Sequence, residues 1–359
     1  MFSAVARYFE TFVVQFGQGW NRFWYTPRDP YALGAIRLLT GLIALYVIAT
    51  YTPDVVRFFG PDGLLVQHDL DNGLITDLSY SEPMGNAQVN HARYLLPWNY
   101  LYWFRDSPTG LWVVHIAGLA VLGLFAAGVF SRVTAVAALL VVLTYIHRAP
   151  MLTSQVEPIL SMVMFYLCLG PSGASFSVDS LLAKRGSSIP ATSEDSPFAK
   201  HSAAATISTR LMQVHLTAAY AMMGLSKLAA PGADASVWWD GSAVWWLIAK
   251  PESRLVDFTW LHSHPYVLDA WTQAIVLFEL GFALLVWYRL FRPLMLTLSV
   301  VMWGSLALVT GLTTFCLMML VANLAFVAPE FLRSALRSSK PEDAEAAARP
   351  ERSAVGQPV

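Results

Sequence analysis

Apolar residues run through this chain in long blocks separated by short polar stretches. Eight blocks read as membrane-spanning helices: 31–51, 111–130, 132–147, 156–170, 207–228, 267–288, 291–311 and 313–330. A span needs about 20 apolar residues, within a range of about 17–25. The third and fourth blocks are short. The last two are parted only at Gly311-Leu312-Thr313-Thr314. Ahead of them, Phe2, Val5, Phe9, Phe12, Val13, Phe16, Trp20, Phe23 and Trp24 recur at helical spacing, interrupted by Arg7, Glu10, Gln18 and Arg22. That pattern predicts an amphipathic helix over 1–25, either lying in the membrane interface or packed on the bundle. No continuous apolar core precedes a small-residue cleavage site, so a cleaved signal peptide is not expected. The fold class is therefore all-α: a polytopic membrane helix bundle whose transmembrane domain covers 26–333.

Composition agrees. Of 359 residues, 56% are hydrophobic and 13% charged, about half the charged share of a soluble domain. A net charge of -1 argues against nucleic acid as a partner and leaves the lipid bilayer as the first one. The two cysteines, Cys168 and Cys316, lie inside apolar blocks and read as packing residues. With eight spans, fifteen Lys and Arg fall on the side of the termini and six on the other, Arg37 and Lys227 being inside spans. That bias places both termini in the cytoplasm. The loops 52–110 and 229–266 then face outward, and their Trp, Tyr, Pro and Gly suggest ordered caps. Residues 184–206 read as a flexible inner linker and 338–359 as a disordered tail.

The fifth span carries the candidate chemistry. Arg210, Gln213, Thr217, Tyr220, Gly224 and Lys227 are spaced 3, 4, 3, 4, 3. That spacing puts them on one helix face. Polar groups at bilayer depth turn toward protein or a water-filled cavity. Arg210 and Lys227 are also far enough apart to snorkel to opposite surfaces. The topology places His115, Gln155, Glu157 and Lys227 at one outer level. A lysine there could serve as a general base, whereas a neighbouring carboxylate such as Glu157 would keep it charged. Deeper, Glu279 and His215 sit at similar depths, which allows a Glu–His pair or a protonated Glu bonded to a hydroxyl. Arg37 reads as a structural partner of a carboxylate such as Asp29, or of lipid phosphate. No metal-ligand spacing is present.

Five motifs, taken in order, carry a resemblance: "RDPYALGAIRLLTGL", "FFGPDGLL", "PSGASFSVDSLL", "RLMQVHLTAAYAMMGLSKL" and "WWDGSAVWW". Over roughly 26–330 the chain resembles proteins with the horizontally transferred transmembrane domain, a group related to vitamin K-dependent gamma-carboxylase. The resemblance implies that Lys227 is a base acting on a reduced quinone or vitamin K-like molecule. Gln155 or Glu157 would stand where the carboxylase has an Asn-Asn-His-type motif, since 151–158 reads "MLTSQVEP". The site would then hold Lys227, Glu157, Gln155 and His115 as catalytic candidates. Tyr220, Gln213, Thr217, Trp238, Trp239 and Asp240 would line it, with Tyr220 on the wall of a cavity that Lys227 faces. The group also includes bacterial membrane proteins, one of them similar to a maturation factor for a secreted peptide. The alternative is thus a non-catalytic maturation factor, scaffold or small-molecule binder, with Lys227 pairing with Asp240 or Glu157.

Overall fold

A computed structural model describes residues 2–60, 100–104, 106–148, 152–186, 201–229, 237–250 and 255–337. Most of the loop 52–110, much of the linker 184–206, parts of the loop 229–266 and the tail 338–359 lie outside the described residues. Among the described residues the regular structure is helical, with no strand. Its helices are α1 (Phe2–Tyr25), α2 (Tyr31–Ala49), α3 (Val55–Phe59), α4 (Pro108–Ala127), α5 (Ser131–Arg148), α6 (Val156–Leu169), α7 (Val178–Gly186), α8 (Ala203–Ala229), α9 (Ala243–Ile248), α10 (Pro265–Leu285), α11 (Arg292–Thr310), α12 (Thr313–Asn323) and α13 (Pro329–Arg337).

Local chemistry sets the ends of these helices. Ser107 Oγ accepts the Gly110 N–H at 3.1 Å and Pro108 opens α4, while Gly128 closes it in the left-handed region at φ 71°. That is the Ser cap, N1 proline and C-terminal glycine pattern. The predicted spans fall on α2, α4, α5, α6, α8, α10, α11 and α12. Five stretches are long and apolar enough to cross a membrane: Tyr31–Phe59, α4, α5, α10 and α11. The run from α12 to α13 bends by 113° and would make a sixth. Helix α6 is short at 14 residues, and α8 is too polar to qualify by composition, because its polar stripe is turned inward.

The bundle is inside-out relative to a water-soluble one. Leu277, Leu284, Val300 and Val301 are all more than half exposed, whereas Arg37, His115, Glu279 and Asn323 are buried. Exposed apolar faces of that extent mark a surface made for lipid.

One end is stitched tightly. The Arg28 and Ser202 backbones pair (3.4 and 3.0 Å), Thr206 Oγ1 donates to the Thr26 carbonyl, and Arg333 pairs with Asp29 at 2.6 Å. The chain before α2, the start of α8 and α13 therefore share this Asp29 end. Lys227, near the last residue of α8, lies at the opposite end. Helix α1 reaches the bundle through its C-terminal turns: Phe23 contacts Trp287 (ring centroids 5.9 Å) and the Arg210 guanidinium lies 4.2 Å over Phe23. Its Phe12–Phe16–Trp20–Trp24 ladder is otherwise mostly exposed.

Arg37 corrects one expectation. It does not bond Asp29. Its guanidinium donates to the Ser172 carbonyl at 3.2 Å and to the Phe176 carbonyl. Asp29 is already taken by Arg333. The segment after α6, "PSGASFSVDSLL", folds under Arg37 and brings Asp179 to the start of α5. There its carboxylate accepts the Phe130 and Ser131 N–H groups at 2.9 and 2.8 Å. Burial pushes the Asp179 carboxyl up, but the Ser131 and Phe130 hydrogen bonds and nearby Arg37 outweigh it, so the carboxyl sits below its usual range.

Candidate functional site

Helix α8 turns its stripe into the protein. Gln213, Thr217, Tyr220 and Gly224 are buried, while Val214, Met222 and Leu225 are exposed. Gly224 makes the end of this stripe possible: a Cβ there would stand 2.7 Å from the Leu280 side chain. Only glycine lets α8 and α10 approach so closely, and that approach brings Lys227 against Glu279.

The Lys227 ammonium lies 2.8 and 2.7 Å from the two Glu279 oxygens. It also donates to the Met223 carbonyl at 3.2 Å, so each of its three N–H bonds has an acceptor. The Trp238 ring covers it at 5.0 Å, in cation–π range. The lysine side chain is 16% exposed and that of Glu279 only 3%. The Lys227 side chain runs back toward Met223, as helical side chains do, so its charge sits a turn deeper than its Cα. This corrects the expected partners: Lys227 pairs with neither Asp240 nor Glu157.

The "WWDG" stretch is a turn that holds Trp238 in place. Asp240 Oδ1 accepts the Ser242 N–H at 2.9 Å, and Gly241 takes φ 85° in the left-handed region. Hydrogen bonds from Ser242 hold the exposed Asp240 carboxyl below its usual range. Helix α10 clamps the turn. Thr272 Oγ1 donates to the Gly241 carbonyl at 2.6 Å, and Gln273 Nε2 to the Trp238 and Trp239 carbonyls at 3.1 and 3.2 Å. Trp239 itself points outward, 61% exposed.

Below the ion pair lies a hydrogen-bonded network. Tyr220 is fully buried; its hydroxyl receives Trp303 Nε1 at 2.7 Å and Asn323 Nδ2 at 2.9 Å, and its ring stacks on Phe282 at 4.1 Å. Farther down, Gln213 Nε2 donates to the Ala325 carbonyl at 2.7 Å, and its Oε1 accepts from Arg210 at 3.0 Å. Thr217 Oγ1 returns to its own helix at the Gln213 and Val214 carbonyls.

The remaining candidates sit elsewhere. Ser154 and Glu157 form a capping pair: the Ser154 N–H and Oγ reach Glu157 Oε2 at 2.7 and 3.0 Å. Gln155 is exposed. His115 is buried between Thr52 Oγ1 at 3.0 Å and the Tyr145 hydroxyl at 2.6 Å. His215 does not meet Glu279; it faces outward and bonds the Tyr166 hydroxyl at 2.9 Å. A cavity of about 10 Å³, lined by Tyr51, Tyr145, Thr153 and Glu157 among others, has room for about one water. A larger one, about 700 Å³, opens at the Asp29 end beside Phe130, Arg132, Asp179 and His201. Neither is lined by Lys227. Among the described residues no three His, Cys, Asp or Glu side chains gather as metal ligands would.

Sequence reasoning missed Glu279 as the partner of Lys227, and Trp303 and Asn323 as partners of Tyr220. Glu279 carried a signal: it is the acidic residue deep inside a span, and a buried lysine needs a counter-charge. The chain matches no protein-family model, no curated protein and no solved structure.

Proposed function

We propose that this multi-pass membrane protein belongs with the horizontally transferred transmembrane-domain proteins related to gamma-carboxylase. In this reading Lys227 and Glu279 form an acid–base pair acting on a lipid-soluble, quinol-like molecule. The observation that carries it is the ion pair, with Glu279 3% exposed and Trp238 as its cover. With Glu279 in direct contact the ammonium proton has a place to go, which frees the amine to take one from a quinol hydroxyl. The pair thus makes Glu279, rather than Glu157 or Gln155, the helper. We place both termini in the cytoplasm of a bacterial cell, with the pair toward the outer surface, from the charge bias.

The experiment is turnover in proteoliposomes with several reduced quinones, following quinol oxidation or carbon dioxide incorporation. The unmodified protein is expected to turn over; Lys227→Ala, Lys227→Arg and Glu279→Gln are expected to be inactive. Turnover that survives both lysine changes would sink Lys227 as base. A tag at residue 195 reached from outside would overturn the orientation.

A second reading has one observation in its favour. All three ammonium N–H bonds are used within the protein, as in a clamp joining α8 to α10. The protein would then be a maturation factor, scaffold or binder for a small molecule or secreted peptide. No turnover by the unmodified protein with any quinol selects this reading.

A further inference from the structure

The outward face of α8 carries Val214, Met222 and Leu225, all exposed, as suits a helix meeting acyl chains. His215 breaks this face. It is exposed and lies twelve residues into a 27-residue helix, about 18 Å from its start at 1.5 Å per residue. Its partner Tyr166 stands on α6, flanked by the exposed Phe165 and Leu169. A polar pair facing lipid at that depth is costly unless something covers it.

The pair's chemistry defines the cover. Tyr166 brings one O–H and neutral His215 one ring N–H, and a single hydrogen bond joins them. If the tyrosine donates to Nδ1, the His215 Nε2–H is left over. If Nδ1–H donates to the phenol, the tyrosine O–H is left over. Either tautomer leaves one donor that the joining bond does not use, beside apolar side chains. Acyl chains cannot accept it. A neutral lipid-soluble molecule with a carbonyl can, its flat or aliphatic body lying over Phe165 and Val214.

We propose that Tyr166 and His215 form a lipid-facing docking point for a carbonyl-bearing, membrane-soluble molecule at the seam of α6 and α8. The site is separate from the Lys227 pair, twelve residues along α8 and on the other face, and it does not depend on Lys227 being a base.

The test is photolabelling in phosphatidylcholine proteoliposomes with 4-decylbenzophenone, whose ketone is both acceptor and photophore. Label is expected within 165–169 and 211–218. It should fall about three- to ten-fold in His215→Leu and in Tyr166→Phe, the loss expected of one hydrogen bond in a membrane. It should stay unchanged in Lys227→Met, so the docking point and the lysine reading fail separately. Both surface changes keep the apolar face and are expected to leave the unfolding temperature unaltered. Competition by decyl-benzoquinone but not by methyl decanoate is expected; competition by methyl decanoate alone overturns the site, because the ester carbonyls of the surrounding lipid would then serve as well. Equal labelling of the variants, or equal competition by carbonyl-free decylbenzene, overturns it. So does covalent dimer formed through His215→Cys, which would show a second copy covering this face.

Discussion

Two cations, one buried and one part-buried, sit at opposite ends of the bundle and are held in different ways. Arg37, near the Asp29 end, is fully buried and gives its hydrogens to two backbone carbonyls, Ser172 and Phe176. Lys227, at the other end, gives two of its three hydrogens to a carboxylate. Carbonyls are dipoles, so the Arg37 arrangement rests on hydrogen bonds. A carboxylate is a counter-charge, so the Lys227 arrangement rests on an ion pair as well as on hydrogen bonds. Removing the partner of Arg37 would cost hydrogen bonds, whereas removing the partner of Lys227 leaves an uncompensated charge.

The comparison can be broken by substitution. The largest effect is expected for Glu279→Leu, which leaves the ammonium among apolar groups. It should lower stability by about 3–5 kcal/mol, read as thermal unfolding in detergent micelles. Adding Lys227→Met should restore much of that loss, because removing both charges of a buried pair is often neutral or stabilising. If the double variant is no better than Glu279→Leu alone, the side chains are held by packing and not by charge.

Arg37→Met comes next. It removes the donor from two carbonyls, for an expected loss of about 2 kcal/mol, the low end of the cost of leaving both unsatisfied. Here a second change at the nearby carboxylate, Asp179→Asn, should bring no recovery, since the carbonyls stay unpaired. Recovery would mean that Arg37 is held by charge after all, and the contrast between the two ends would disappear.

The smallest effect is expected for Asp179→Asn alone, about 1 kcal/mol, as for loss of a helix cap. It should also depend on pH. The Asp179 carboxyl is held below its usual range by its hydrogen bonds and Arg37. Its contribution is therefore present above the ordinary carboxylate range and fades as pH falls through the lower folded value. The unfolding-temperature gap between the unmodified protein and Asp179→Asn should narrow in acid. A gap that is constant with pH would remove the carboxylate as the cap.

Periodicity made some of this site legible in the sequence. The 3-4 spacing in α8 gave the inward face, and Gln213, Thr217, Tyr220 and Gly224 are buried along it. Lateral partners were out of reach, because periodicity says which way a side chain points and nothing about what it meets. The shared depth of Glu279 and His215 therefore allowed a Glu–His pair that does not form: Glu279, on α10, meets the inward face of α8 at Lys227, and His215 stands on the outward face. Two local patterns whose residue types suit chemistry also serve the backbone. Ser154-x-x-Glu157 is a capping pair, and Asp240-Gly241 is a turn. Their residue types suit catalysis and capping equally, and spacing of three after a Ser favours the cap.

The polar stripe also has a consequence for how the chain enters the bilayer. Its partners arrive late in synthesis: Glu279 is 52 residues after Lys227, and Asn323 and the Ala325 carbonyl follow Tyr220 and Gln213 by 103 and 112. When α8 leaves the ribosome, its Lys227, Tyr220 and Gln213 Nε2 still lack their later partners, and its composition falls short of a span. Helix α8 is thus a late-committing segment, retained in the membrane once α10 and α12 are there to receive it. A nascent chain halted before Glu279 should leave Lys227 in water, and one released after Ala325 should have buried it.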